Sequence, residues 1–553
     1  MNGPADEQAR EVNRLARGTG VLALGAVIAL VAGCSPGEPG IPGAQGKQDA
    51  PGTSDSGSRL TDVPGLPDAA LDVMNQPEFA DGRWLISVQD LDTGETLIDL
   101  DGDKLAEPGS FVKTYSAGAA WVKWGPDHTV TTPVKHSGAV TDGALDGDLV
   151  LVAQGDLTMG GRTKDDGTVD FTNLDHNDAN PLPGATLTTE DPLAGLDDLA
   201  KQVKNSGITS VSGDVMIDDR LFAGTLDEKP VTPIVINQNI LDILITPGAE
   251  GEPATGALTP VVSPWNLDLQ VETVAADAEA HIEDPKLAEG DPTTIVVEGT
   301  INAGSDPALK IYELEDPATF ARTAFIEALE RAGVAVSADP VQTNRDDELG
   351  SAAAIEELPT VAELESLPLE EEATYVMKVS YNRGAQTLIC RIAADAGETD
   401  CRAGMALTQQ IWEDAGLDTL GAALVDGSGL AGNFITPENA VQIQSIMAAR
   451  PDAEAWRDTM PILGVDGSLA DVQKDSPAVG KVFAKTGTLL GGDPFNGRFR
   501  LATKTLGGVM DTKGGRHLAF TIIVNQGFAD DVKGVFQAND DVGKVAALIQ
   551  QAY

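Results

Sequence analysis

The fold class that the sequence predicts is α/β (α+β), a sandwich of helices around an antiparallel sheet with mainly-β modules inserted into it. Three observations predict it. Helix and strand patterns alternate between about residues 82 and 124, and return from Tyr375 to the end of the chain. From about 160 to 365 the character changes to short Val/Ile-rich strands separated by Gly, Pro and Asp turns. Strand-like segments near both ends of the chain, with helices beside them, fit one sheet built from split segments.

The chain opens with a patterned leader. Arg10, Arg14 and Arg17 precede an apolar run from Val21 to Ala32, which ends at Val31-Ala32-Gly33-Cys34. A basic region, an apolar region and small residues are the parts of a secretory signal. The run is too short for a comfortable transmembrane helix. Cys34 stands where a lipobox cysteine stands, so residues 1–33 read as a lipoprotein signal peptide with Cys34 as the lipidation site. An ordinary signal peptide or an uncleaved anchor is the alternative, and each puts the protein outside the cytoplasmic membrane. Residues 34–60 then hold the lipidated cysteine and a Pro/Gly/Ser-rich tether, which has too few apolar side chains to build a core.

The folded body starts near Leu60. Gly82–Asp90 reads as a strand, Asp92-Thr93-Gly94-Glu95 as a turn, and Thr96–Leu100 as the hairpin partner. Glu107-Pro108-Gly109 breaks the chain before a helical run that starts at Ser110. Within 161–365, Ser210–Ile217 and Thr294–Val297 read as strands, Leu193–Asn205 and Ala318–Ala332 as helices. No motif in that stretch connects to chemistry. After Tyr375 come a helix through Cys390, another over Cys401–Ala415, an edge strand Val482–Leu489, its neighbour His517–Asn525, and a last helix Asp540–Tyr553. Residues 61–160 and 366–553 therefore form one domain, into which 161–365 is inserted as mainly-β modules.

Composition excludes some functions. A net charge of −49 repels the phosphates of nucleic acid. The acidity names no substrate, since a soluble or salt-adapted surface gives the same excess. With only five His and no Cys/His spacing of zinc type, the sequence predicts no metal site, and it calls for no cofactor. Asp175-His176-Asn177-Asp178 reads as part of a solvated polar loop. Once Cys34 is set aside, Cys390 and Cys401 remain as an even pair in an oxidising compartment, which predicts a disulfide; two free buried thiols are the alternative.

Three short motifs carry the chemistry: Ser110-Phe111-Val112-Lys113, Ser380-Tyr381-Asn382 and Lys485-Thr486-Gly487. A serine hydroxyl is a weak nucleophile until a base takes its proton. Lys113, one helical turn on, can be that base if burial and a neighbouring Lys485 favour its neutral form. Ser380 can pass a proton to a leaving amine, and Asn382 can orient a substrate carbonyl. Lys485, Thr486, Gly487 and Thr488 offer a cation, hydroxyls and an open strand edge along which a peptide can lie. Taken singly, the first pair also fits a helix cap with a surface lysine, and the second an ordinary turn. In order and in context, the three specify acylation of a serine by an amide.

On these motifs the chain resembles the class C penicillin-binding proteins, the D-alanyl-D-alanine carboxypeptidase/endopeptidase family. Gly125-Pro126-Asp127, Gly147-Asp148-Leu149-Val150-Leu151, Asp426-Gly427-Ser428-Gly429-Leu430 with Thr436-Pro437, and Gly464-Val465-Asp466-Gly467-Ser468-Leu469 extend the likeness from about 65 to about 530. The separation of 270 positions between Ser110 and Ser380 also resembles this family, whose extra domains lie there.

The resemblance implies a penicillin-binding/β-lactamase-like transpeptidase domain and serine D-Ala-D-Ala carboxypeptidase activity on peptidoglycan stem peptides, with endopeptidase action as a close variant. Ser110 is implied as the acylated nucleophile, Lys113 as its base, Ser380 as proton relay and Asn382 as the holder of the substrate amide. Lys485 supplies positive potential and Thr486 and Thr488 bind the terminal carboxylate. The N–H groups of Ser110 and Thr488 form the oxyanion hole. Implied partners are peptidoglycan peptides, β-lactam antibiotics and, through the lipid, the membrane. The rivals are a catalytically silent peptidoglycan-binding lipoprotein, in which Phe111 narrows the cleft, and a serine β-lactamase. The latter needs a base for a deacylating water that the motifs do not offer. Thr505–Thr512 is expected to lengthen the connection after the Lys-Thr-Gly strand.

Overall fold

The computed structural model describes residues 59–553. The leader, Cys34 and all but the last two residues of the tether lie outside the described residues. In the body, β1 (Arg83–Asp90) and β2 (Thr96–Leu100) form the expected antiparallel hairpin, with Val88 opposite Ile98. Three long strands from the far end of the chain, β3 (Val482–Asp493), β4 (Arg498–Asp511) and β5 (His517–Ala529), join them. The sheet order is β2-β1-β5-β4-β3, and every pairing is antiparallel.

The Lys-Thr-Gly strand β3 lies at the sheet edge, as expected, but its neighbour is β4 rather than the His517 strand. The expected long connection at Thr505–Thr512 is corrected accordingly: it is sheet through Asp511, with Leu506 opposite Thr486 on one side and Ile522 on the other. Its Lys, Thr and Gly residues hide a strand from a hydrophobicity reading. The glycines have steric reasons. A Cβ on Gly507 would come within 2.6 Å of the Phe111 ring, and one on Gly508 within 2.1 Å of the Phe483 carbonyl oxygen.

Successive side chains of a strand point to opposite faces, and the sheet uses both. Trp84, Ile86, Val88, Phe520, Ile522 and Val524 share a core with the helix Asp68–Met74 and with the C-terminal helix. Leu85 and Ile523 face the other core, which gathers Phe111, Tyr115, Trp121 and the helices of the middle of the chain. Full burial of each such side chain is worth about 1.5–3 kcal/mol. The longer helices of these cores are α1 (Lys113–Trp124), α2 (Leu369–Lys378), α3 (Asn382–Asp395), α4 (Cys401–Asp414), α5 (Pro437–Ala448) and the C-terminal α6 (Val532–Ala552). α6 begins well before the expected Asp540, because the Asp531 side chain accepts from the Gly534 N–H and caps it. A disulfide joins Cys390 on α3 to Cys401 at the start of α4. Phe222, Leu226 and Val231 from the inserted region pack over it.

The insertion has its own core. Thr360–Glu365, Thr131–His136, Leu149–Val152 and Val215–Asp218 form one four-stranded sheet, in that order. Two of its four strands, Thr131–His136 and Leu149–Val152, precede residue 161 in the sequence, so the inserted body takes in chain before 161. The helices Ala194–Asn205 and Pro317–Arg331 pack into the same core through Leu196, Leu199, Val203, Phe325 and Leu329. The segment expected as one strand, Ser210–Ile217, is two: Ser210–Val211 and Val215–Asp218 lie in different sheets. The break falls at Gly213, where a Cβ would meet the Gly147 carbonyl oxygen at 2.4 Å.

Candidate active site

Ser110 sits in a short 3-10 turn, Gly109–Val112, that leads directly into α1. The turn is pressed against the sheet edge. Gly109 has φ +55°, and a Cβ there would lie 2.8 Å from the Thr488 backbone nitrogen. A Cβ on Gly487 would overlap the Pro108 carbonyl oxygen at 2.0 Å. Glycine at both positions is what lets the nucleophile turn and the Lys-Thr-Gly strand touch. Phe111, next to the serine, is fully buried under the sheet and stands edge-on to Tyr115, with ring centroids 6.5 Å apart. It does not narrow the cleft; the short turn points residue 111 inward.

Lys113 is fully buried, and its Nζ lies within hydrogen-bond distance of three groups: Ser110 Oγ at 2.8 Å, and Asn382 Oδ1 at 2.6 Å and the Ser428 carbonyl at 2.9 Å, to both of which it donates. Removal from water pushes its pKa down to about 7, against the opposing pull of Asp426 and Asp178. Lys485, equally buried, donates to Ser380 Oγ at 3.0 Å and to the Thr486 carbonyl at 2.9 Å. Its pKa is also pushed well down, first by burial and then by Lys113. Two buried ammonium groups this close disfavour each other, so the pair favours having one lysine neutral.

Ser380 occupies the left-handed region, φ +60°, between α2 and α3. A non-glycine residue is held there only when its surroundings impose it. The geometry lets the residue present its hydroxyl to Lys485 while Asn382, the first residue of α3, presents its amide oxygen to Lys113. The Asp426–Leu430 motif builds the rest of the floor. One Asp426 oxygen accepts from the Ser428 N–H, the Ser428 hydroxyl and the Gly429 N–H, and the other from Asn433 Nδ2. This turn aims the Ser428 carbonyl at Lys113. Ser468, from the Gly464–Leu469 motif, shares a 2.8 Å hydrogen bond with the Thr486 hydroxyl. All three motifs thus converge on one cleft, with Thr486, Gly487 and Thr488 along its β3 wall.

Asp175–Asp178 departs from expectation. His176 is fully buried rather than solvated. Asp175 takes both nitrogens of the Arg162 guanidinium, at 2.9 and 2.8 Å, and Arg162 approaches His176 Nε2 at 2.7 Å. Because guanidinium only donates, Nε2 accepts and Nδ1 carries the hydrogen, donated to Asp242 at 2.9 Å. Pairing removes the cost of burying these groups. The same loop brings Asn177 Nδ2 to the Val379 carbonyl, 3.2 Å away and one residue before Ser380. It also puts Asp178 within electrostatic reach of both cleft lysines. Burial pushes the Asp178 carboxyl up to about 6, while Lys113 and Lys485 work the other way. Sequence reasoning missed Asp178, since nothing local separates it from a turn aspartate. It also missed Lys504 on β4, whose Nζ donates to Thr488 Oγ1 at 2.6 Å.

The fold and this cleft are of the serine–lysine acyl-transfer class. Comparison with known proteins narrows the class to a family. The D-Ala-D-Ala carboxypeptidase 3 (S13) family matches residues 68–542, so the chain belongs to that family, the class C penicillin-binding proteins. A D-alanyl-D-alanine carboxypeptidase of Actinomadura sp. (strain R39) is 29% identical over 469 residues, 80% of this chain and 79% of that protein. The crystal structure of penicillin binding protein 4 from Haemophilus influenzae shares the fold, with TM-score 0.61 and 19% identity over 86% of this chain and 98% of that one. The same protein complexed with a novel β-lactam gives TM-score 0.62 at 20% identity, with the same coverage.

Proposed function

We propose that the protein, a serine-type D-Ala-D-Ala carboxypeptidase by family, removes the terminal D-alanine of peptidoglycan stem peptides through an acyl-enzyme on Ser110. Ser110 Oγ attacks the carbonyl of the penultimate D-alanine as its proton passes to neutral Lys113 Nζ. The N–H groups of Ser110 and Thr488 stabilise the oxyanion. When the amide C–N bond breaks, Ser380, bridged to Lys485, passes a proton to the departing amine. Asn382 spends its oxygen on Lys113, which leaves Nδ2 to donate to a substrate carbonyl. Thr486, Thr488 and Lys485 receive the terminal carboxylate. Water then hydrolyses the ester and frees Ser110. Cleavage of cross-links is a close variant, because it too releases a D-alanyl carbonyl from an amine. Penicillin acylates the same serine as a substrate mimic.

The observation that carries this reading is the buried Lys113 Nζ, 2.8 Å from Ser110 Oγ with its pKa near 7. The test is D-alanine release from an acylated peptide ending in D-Ala-D-Ala. The intact protein releases one D-alanine per peptide and Ser110→Ala releases none; equal release by both would assign the activity to another site. Buried Phe111 speaks against the silent binding protein, whose argument was a cleft blocked by that ring.

The leader pattern supports attachment to the outer side of the cell membrane through a lipid on Cys34. Metabolic labelling with a palmitate analogue tags the unaltered chain and not Cys34→Ala; label retained in that variant would remove the anchor from the account.

A further inference from the structure

Lys504 belongs to none of the three motifs, yet it lies directly opposite Thr488 in the β3–β4 register. It is 5% exposed, and the one hydrogen bond of its side chain among the described residues goes to Thr488 Oγ1 at 2.6 Å. No carboxylate of the described residues forms an ion pair with it. Buried arginines of the inserted body meet an anion, as Arg322 meets Asp214, and the other two buried cleft lysines, Lys113 and Lys485, have assigned roles in the acylation chemistry. A methionine would fill the same space at no electrostatic cost. A buried ammonium whose single partner is a hydroxyl on the cleft wall is therefore out of place unless an anion arrives.

We propose that Lys504 is a positioning residue that commits the cleft to leaving groups carrying a free carboxylate, by orienting the Thr488 hydroxyl and adding charge behind it. The inference rests on the reading of the cleft given above and names its selectivity. An ammonium only donates, so Thr488 Oγ1 accepts from Lys504 and its own O–H must point elsewhere. Thr488 is half-exposed on the cleft side, which makes that O–H a donor to an incoming oxygen. Lys504 also acts on Lys485, so the two cations form one positive field on either side of Thr486–Thr488. Burial pushes Lys504 down to about 7, and an incoming carboxylate opposes that push. An esterified or amidated terminus offers no such charge.

The test compares second-order acylation of the full chain by benzylpenicillin and by its methyl ester, which differ only in the free carboxylate. For Lys504→Met, the rate with the acid falls about tenfold further than the rate with the ester, the size of one charge-assisted hydrogen bond. Lys504→Gln keeps a donor to Thr488 without the charge; it shifts the acid-to-ester ratio the same way and serves if the methionine variant does not fold. In Thr488→Val, adding Lys504→Met produces little further shift in the ratio, because the charge works through that hydroxyl. Equal losses on acid and ester in the Lys504 variants, or no loss on either, would overturn the proposal. If the unsubstituted protein is acylated by neither ligand, the reading of the cleft itself fails, and this inference with it.

Discussion

The inserted body and the active-site cleft both bury charge, and they do it in opposite ways. In the inserted body Arg322 is fully buried with its guanidinium 2.5 Å from Asp214, and Arg345 takes the other oxygen at 2.8 Å. Burial works to raise the Asp214 pKa, but the two arginines hold it below its ordinary value. In the cleft, Lys113, Lys485 and Lys504 are as deeply buried, and their hydrogen-bond partners are hydroxyls, carbonyls and an amide. All three have lowered pKa values, with burial as the first cause. Paired charge holds a structure in one arrangement. Unpaired charge costs stability but keeps a lysine neutral enough to act as a base, or positive enough to draw an anion.

The contrast can be broken by exchanging the outcomes of mutation. The largest effect belongs to the cleft: Lys113→Ala should lower the acylation rate by about a thousandfold or more, in line with loss of a general base from a cooperating set, while the protein stays folded by circular dichroism. In the inserted body, Asp214→Ala leaves the Arg322 guanidinium buried without an anion and should cost about 3–5 kcal/mol in denaturant unfolding. Its acylation rate at 25 °C should change little. A variant at Asp214 that lost activity but not stability would erase the distinction.

Two smaller effects sharpen it. Reduction of the Cys390–Cys401 disulfide, or its replacement by two alanines, should cost about 2–3 kcal/mol for so short a loop. The pH dependence follows from Lys113. Its neutral form is the base and its pKa is about 7, so acylation should rise with pH through that value, about tenfold per unit on the acid side, and level off above it. The stability effect has the same sign. A lysine whose pKa is lower folded than unfolded binds more protons when unfolded, so this group's cost is complete below about 7 and fades as pH rises toward 10.5. A rate that fell as pH rose through 7 would mean that the ammonium is the active form.

How much of this was legible in the sequence depends on how local each signal is. The three motifs, the hairpin at residues 83–100 and the edge position of the Lys-Thr-Gly strand were readable, because spacing and alternation are properties of short segments. β4 was not, since its glycines and polar residues answer to Phe111 and Phe483 across the sheet rather than to a hydrophobic pattern. Asp178 and Lys504 were invisible for the same reason. Their importance comes from partners far away in sequence, Lys113 and Lys485 for one and Thr488 for the other. His176 read as solvated because its partners, Arg162 and Asp242, are brought to it only by the fold.

The most direct measurement is intact-mass spectrometry of the folded body incubated with benzylpenicillin, followed by peptide mapping of the adduct. The expected result is one penicilloyl group per chain, carried on the peptide that contains Ser110 and lost in Ser110→Ala. An adduct on any other residue, or none while an active-site probe reports an intact cleft, would contradict the assignment of Ser110 and Lys113 as nucleophile and base.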